Sequence, residues 1–150
     1  MQLVVLGLNH RSAAVEVRER FSFEKNEVES ALNRLYEYEK ISECVILSTC
    51  NRTEIYAVLE DVQSPKAYML DVLKHLKHAD TIDESAFFFY EEKACIEHLF
   101  RVSASLDSLV LGEGQILSQL KGAYIAAYSA GFTGTVFNIL FQRAISVGKK

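Results

Sequence analysis

A chain of 150 residues fits one domain of about the commonest size, and 49% hydrophobic with 24% charged residues gives it a packed core and excludes disorder. A net charge of −4 excludes a global basic field for nucleic acid, so any grip on RNA would be local. No apolar run approaches the ~20 residues of a membrane span, the N-terminal residues lack signal-peptide features, and three cysteines without an export signal speak against a disulfide framework, so the expected setting is cytoplasmic.

Leu3–Leu8 reads as a short buried strand, closed by the polar turn Asn9-His10-Arg11-Ser12. That turn lacks the second glycine and the lysine of a phosphate-binding loop. A short helix over Ala13–Arg20 is weakly signalled. Ser22 is the expected cap of a helix from Glu24 to Tyr38, with Val28, Ala31, Leu32 and Leu35 on one face. Glu43–Leu47 and Ile55–Leu59 are β-like runs joined by the polar stretch Ser48-Thr49-Cys50-Asn51-Arg52-Thr53-Glu54, which predicts a hairpin. Ser64-Pro65 then reads as cap and first turn of a helix to His78. His75 and His78 lie three apart there, without the further ligands a metal site requires. Ala86–Tyr90 is an aromatic strand. The rest of the chain is helical: Glu91–Ser105, with Ile96, Leu99, Phe100 and Ser103 inward and His98 and Arg101 outward; Gln115–Ala130, ended by Gly131; and a helix from Thr133-Gly134-Thr135 to Lys150, with Val136, Ile139, Leu140, Arg143 and Val147 at helical spacing. Leu106–Gly114 is a break.

The order up to Tyr90 is strand, helix, strand, strand, helix, strand. It predicts an α+β domain of the ferredoxin-like βαββαβ type, a mostly antiparallel four-stranded sheet with helices on one face, followed by additional C-terminal helices.

Chemistry gathers at the hairpin tip. A thiol offered there is accessible without leaving the sheet, and Arg52, two residues on, would favour the thiolate that attacks carbonyl carbon, or bind a carboxylate through its planar fork. An ordinary polar turn with a free cysteine is the plainer reading of these seven residues. Gly112-Glu113-Gly114 fails the dinucleotide fingerprint, because Leu117 stands at the third glycine position and no βαβ unit comes after it. Zinc is disfavoured, since Cys44 and Cys50 are ~20 Å apart on an extended strand, and Cys95 reads as a small helix-face residue. His98 is a candidate to handle protons for Cys50, and Gln115 and Gln119, four apart, can turn both amides to one ligand.

Taken together these segments resemble one family. Gly7-Leu8-Asn9-His10-Arg11-Ser12-Ala13, the run Ser48-Thr49-Cys50-Asn51-Arg52-Thr53-Glu54-Ile55-Tyr56, His98-Leu99-Phe100-Arg101-Val102 and Leu106–Leu117 look like glutamyl-tRNA reductase, in the same order from first residue to last. Ala14 and Gly114 stand where the family often carries proline. The resemblance implies NADPH-dependent reduction of glutamyl-tRNA to glutamate-1-semialdehyde through a cysteine thioester, the first step of tetrapyrrole synthesis. It implies Cys50 as nucleophile, His98 as the activity-linked histidine, and Thr49, Asn51, Arg52, Ser108, Glu113, Gly114, Gln115 and Gln119 around the glutamyl group. It further implies that residues 1–150 form the catalytic, glutamyl-binding domain, with the NADPH-binding and dimerisation domains absent from this chain. No metal is implied. Expected partners are glutamyl-tRNA, a second copy in the full-length homodimer, and the downstream glutamate-1-semialdehyde aminomutase; no membrane is expected. The alternative from another class is a cysteine-based redox-sensing or binding domain without catalysis, for which no resolving partner stands out.

Overall fold

The computed structural model describes residues 1–104 and 115–149. Its elements are β1 (Gln2–Asn9), α1 (Val15–Phe21), α2 (Lys25–Arg34), β2 (Ile41–Ser48), β3 (Arg52–Leu59), α3 (Pro65–Leu76), β4 (Phe88–Glu91), α4 (Glu92–Ser103), α5 (Ile116–Ser129) and α6 (Thr135–Gly148). The four strands form one antiparallel sheet in the order β2-β3-β1-β4. The expected break at Leu106–Gly114 lies outside the described residues.

Helices cover both faces of the sheet, not one as the element order suggested. Val4, Leu6, Leu8, Ile55 and Ala57 pack with Phe21, Leu32, Leu35, Met69 and Leu73 of the helices between strands. Leu3, Val5, Tyr56 and Val58 pack on the other side with Cys95, Leu99, Leu120, Phe137 and Phe141. A strand with one wet face alternates apolar and polar residues; Leu3–Leu8 and Ile55–Leu59 do not, because both of their faces are buried.

The edge of β2 is closed by the connection between α5 and α6. Gly131 adopts φ +80°, the left-handed turn that ends a helix, and the next carbonyl, of Phe132, accepts the Cys44 N–H at 2.9 Å. Glu43, buried on β2, reaches the start of α6, where its carboxylate accepts the N–H groups of Gly134 at 2.6 Å and Phe137 at 2.8 Å. A negative group at a helix N-terminus is favourable, and here it comes from a distant strand.

Several local expectations are corrected. α2 is capped by Glu24 and Glu27 in a reciprocal box, not by Ser22, whose hydroxyl donates to the Glu19 carbonyl at 3.0 Å. β4 begins at Phe88, after a 3-10 turn over Glu84–Ala86. α4 is rotated from the expected face: Cys95, His98, Leu99 and Val102 are buried, while Ile96 is exposed. That stripe is equally periodic, and it wins because His98 has a buried partner. α6 likewise buries Phe137, Phe141, Ala144 and Ile145 and leaves Ile139 and Val147 exposed. The two phenylalanines outweigh the aliphatic stripe, and Phe141 meets the Tyr56 ring edge-on at 5.4 Å.

Candidate functional site

The β2–β3 connection is a short tip over Thr49, Cys50 and Asn51. Thr49 Oγ1 accepts the backbone N–H groups of Asn51 at 3.1 Å and Arg52 at 3.2 Å, and Thr49 N–H donates to the Arg52 carbonyl at 2.8 Å. A threonine that bonds its own turn in this way fixes the tip without extra residues. Ser48 Oγ accepts the Phe23 N–H at 2.8 Å and so ties the tip to the α1–α2 connection. Cys50 is exposed, whereas Cys44 and Cys95 are buried. Burial pushes the Cys44 thiol up to about 12 and raises that of Cys95 as well.

Cys50 lines a groove of roughly 370 Å³ with Thr49, Ser48, Arg18, Glu19 and Ser22 among its walls. Arg18 went unnoticed in the sequence. Its Nη1 donates to the Ala13 carbonyl at 3.0 Å, and its buried Nε has no hydrogen-bond partner. Nothing in the local pattern of α1 marks it, since contact with the tip arises only once α1 folds against β3.

Arg52 opens β3, two residues after Cys50. In a strand, residues 52, 54 and 56 share a face, and that face looks toward α4. The Arg52 side chain is fully buried, and its Nη1 donates to Glu54 Oε2 at 3.0 Å. His98 Nε2 lies 2.7 Å from the same oxygen, and the Tyr56 hydroxyl donates to Glu54 Oε1 at 2.6 Å. Burial works to raise the Glu54 pKa, but the hydrogen bond from His98, the charges of His98 and Arg52, and the Tyr56 hydroxyl outweigh it and hold the carboxyl below its ordinary value. The Tyr56 hydroxyl moves the other way, well above its usual value, through burial and the adjacent carboxylate.

His98 also lines a cleft of roughly 440 Å³ with Asn9, Arg11, Tyr90 and Arg101. Its ring is 5.0 Å from Phe88 and 5.2 Å from Tyr90, centroid to centroid. Gly7 makes this packing possible, because a Cβ there would stand 2.6 Å from the Phe88 ring and 3.0 Å from Glu54 Cγ. Asn9, opposite Arg52 across the β1–β3 ladder, brings the cleft to the hairpin end of the sheet. The structure thus sets Cys50 and His98 at one end of the sheet but in different openings: among the described residues, the walls of the Cys50 groove and of the His98 cleft have none in common.

Asn51 is buried at the tip. Gln119, exposed on α5, lines a third groove of roughly 350 Å³ whose wall includes Ser48 and Phe23, so this groove adjoins that of Cys50. Gln115 is exposed and forms the N-cap of α5. Ser108, Glu113 and Gly114 lie outside the described residues.

Among the described residues no group of three or more His, Cys, Asp or Glu could hold a metal ion. Nor do they fit a dinucleotide: the sheet pairs are antiparallel, and the turn after β1 is held by the Asn9 side chain, which accepts the Arg11 and Ser12 N–H groups that would face a phosphate. No helix among the described residues is long and apolar enough to cross a membrane.

The family model described as the N-terminal domain of glutamyl-tRNA(Glu) reductase matches residues 6–150. The glutamyl-tRNA reductase of Bacillus subtilis is 42% identical over all of this chain and 33% of the relative, and that of Geobacillus kaustophilus is 41% identical over the same shares. The solved structure of glutamyl-tRNA reductase from Methanopyrus kandleri superposes with a TM-score of 0.76 and 34% identity, over 98% of this chain and 33% of that one. The chain spans about a third of the length of the relatives it matches.

Proposed function

The chain belongs to the family of glutamyl-tRNA reductase N-terminal domains, and from that premise we propose that residues 1–150 are the glutamyl-binding catalytic domain of an NADPH-dependent glutamyl-tRNA reductase. The reaction is the first step of tetrapyrrole synthesis, giving glutamate-1-semialdehyde. The observation that carries this reading is an exposed Cys50 on a tip braced by its own threonine and by α1–α2. A thiolate on a fixed tip is a good nucleophile for the activated ester of an aminoacyl-tRNA.

In the proposed step, Cys50 Sγ attacks the ester carbonyl carbon. The C–S bond forms as the bond from that carbon to the ribose oxygen breaks, and the oxygen takes up a proton as tRNA leaves. Thr49, Asn51 and Arg52 surround the glutamyl group, with Ser108, Glu113, Gly114, Gln115 and Gln119 completing the pocket, and His98 is the activity-linked histidine. NADPH supplies hydride for reduction of the thioester. The described residues do not fit it, and we assign it, together with dimerisation, to parts of the full-length protein other than residues 1–150. Antiparallel pairing in the order β2-β3-β1-β4 supports a ferredoxin-like βαββαβ arrangement beneath the C-terminal helices. The reading carries with it a cytoplasmic, homodimeric full-length enzyme that associates with glutamate-1-semialdehyde aminomutase.

The redox-sensor alternative needs a second thiol near Cys50. Both other cysteines are buried in the core, Cys44 on the α2–α3 side of the sheet and Cys95 on the α4 side, which weighs against it. The deciding experiment is mass spectrometry of the chain after incubation with glutamyl-tRNA. A glutamyl adduct on Cys50 is expected; an adduct elsewhere, or disulfide formation at Cys50 as its only chemistry, would overturn the reading.

A further inference from the structure

The sequence marks Glu54 only as the end of a polar run, yet it is the hub of the buried cluster. Its side chain has no accessible surface, and it faces three donors: Arg52 Nη1 at 3.0 Å, His98 Nε2 at 2.7 Å and the Tyr56 hydroxyl at 2.6 Å. Three donors around two oxygens suit a carboxylate, which accepts on both. We propose that Glu54 is a positioning residue that fixes His98 as the Nε2–H tautomer and holds the Arg52 guanidinium in its buried orientation.

The consequence lies in the ring's two nitrogens. With Nε2–H given to Glu54, Nδ1 is the nitrogen left for the cleft that His98 lines beside Asn9, Tyr90 and Arg101. In the neutral ring Nδ1 is unprotonated and accepts a hydrogen bond or a proton; it does not donate one. Glu54 therefore decides in which direction His98 can work. The same oxygen carries Arg52, so one carboxylate sets the direction of two residues of the proposed site. Carboxylates behind a histidine do this in many sites by orienting the ring and choosing its tautomer. Gly7 belongs to the same device, since it leaves the space in which Glu54 and Phe88 lie side by side.

The effect on catalysis rests on the function proposed above; the tautomer does not. Two-bond proton–nitrogen correlation of the ¹⁵N-histidine-labelled chain, at a pH where His98 is neutral, should show Nε2 protonated and Nδ1 bare. Protonated Nδ1 in the wild-type chain would overturn the proposal without any variant. In Glu54→Leu no acceptor remains, and the spectrum should lose the single Nε2–H form. Acylation of Cys50 by glutamyl-tRNA should drop at least tenfold in that variant, with circular dichroism reporting whether it is folded. A folded Glu54→Leu protein with unchanged tautomer, or with wild-type acylation, sinks the proposal. If the wild-type chain takes no glutamyl group, the catalytic reading fails by itself, and the spectrum still decides the role of Glu54.

Discussion

Cys50 and Glu54 sit on one hairpin within a single short motif, yet Cys50 is exposed and Glu54 has no accessible side-chain surface. The first part of the motif, Thr49 to Asn51, is a turn in which the Thr49 hydroxyl is spent on the turn's own backbone. The second part, Arg52 to Tyr56, is a strand on which Glu54 binds Arg52, Tyr56 and His98 of α4. A turn can present a reactive atom but cannot keep charges dry. A buried strand face can fix charges but cannot offer a thiol to a large substrate. The motif joins the two, and the comparison predicts that function and stability separate along it.

Cys50→Ser is the sharpest way to break that separation. Acylation should fall by more than about 10³-fold, the scale on which removal of a nucleophile acts. Stability should stay within about 0.5 kcal/mol, as for an exposed site. Denaturant unfolding and glutamate release from charged tRNA, measured side by side, check both halves. A large loss of stability would mean that the tip is structural.

Glu54→Ala should differ by costing stability as well as acylation. It removes the buried carboxylate that Arg52 and His98 share, and breaking a buried pair typically costs about 3–5 kcal/mol. The same contact predicts a pH dependence. Glu54 titrates lower in the folded chain than in the unfolded one, so its stabilising contribution is complete above the unfolded value. That contribution drains away as pH falls below about 4.5 and through the folded value. Unfolding midpoints from pH 7 down to pH 3 should therefore fall in wild type. In a folded Glu54→Gln variant the fall should be shallower, and identical slopes would assign the acid sensitivity to other carboxylates.

The difference between turn and strand also explains what the sequence disclosed. Strand runs and the hairpin were legible because apolar runs and polar interruptions are local signals. The number of covered faces was readable too, since unbroken runs such as Leu3–Leu8 mean two buried faces, but the element order pulled the expectation to one. The faces of α4 and α6 were misread because each helix carries two periodic stripes, and the choice between them is made by Glu54 and Tyr56 on another element. Glu43 and Arg18 had no signal at all, as each acts only across a long-range contact.

Gly7→Ala probes the boundary between the two regions from β1. The added methyl group collides with the Phe88 ring and crowds Glu54 Cγ. Overpacking of this kind costs about 1–3 kcal/mol. If it acts through Glu54, the His98 ring signals should move with it; a loss of stability with unmoved His98 signals would place the strain on Phe88 alone.

The smallest expected effect belongs to Thr49, and it tests whether the tip is as self-contained as its hydrogen bonds imply. The Thr49 hydroxyl accepts two backbone N–H groups, at 3.1 and 3.2 Å, next to an exposed thiol. The catalytic reading asks the same side chain to touch the glutamyl group. Hydrogen bonds of this kind contribute about 0.5–1.5 kcal/mol net, and water can replace part of them at a half-exposed site. Thr49→Ala should therefore lose about 1 kcal/mol of stability, while Thr49→Ser, which keeps the oxygen, should lose little. Acylation discriminates further. If the hydroxyl mainly holds the turn, Thr49→Ala should slow acylation of Cys50 by glutamyl and by other aminoacyl esters in equal proportion, because the thiol is misplaced for all of them. If it also contacts substrate, the glutamyl ester should suffer more. A Thr49→Ala protein as stable as wild type would show that the tip is held from α1–α2 through Ser48, and that Thr49 is there for the substrate.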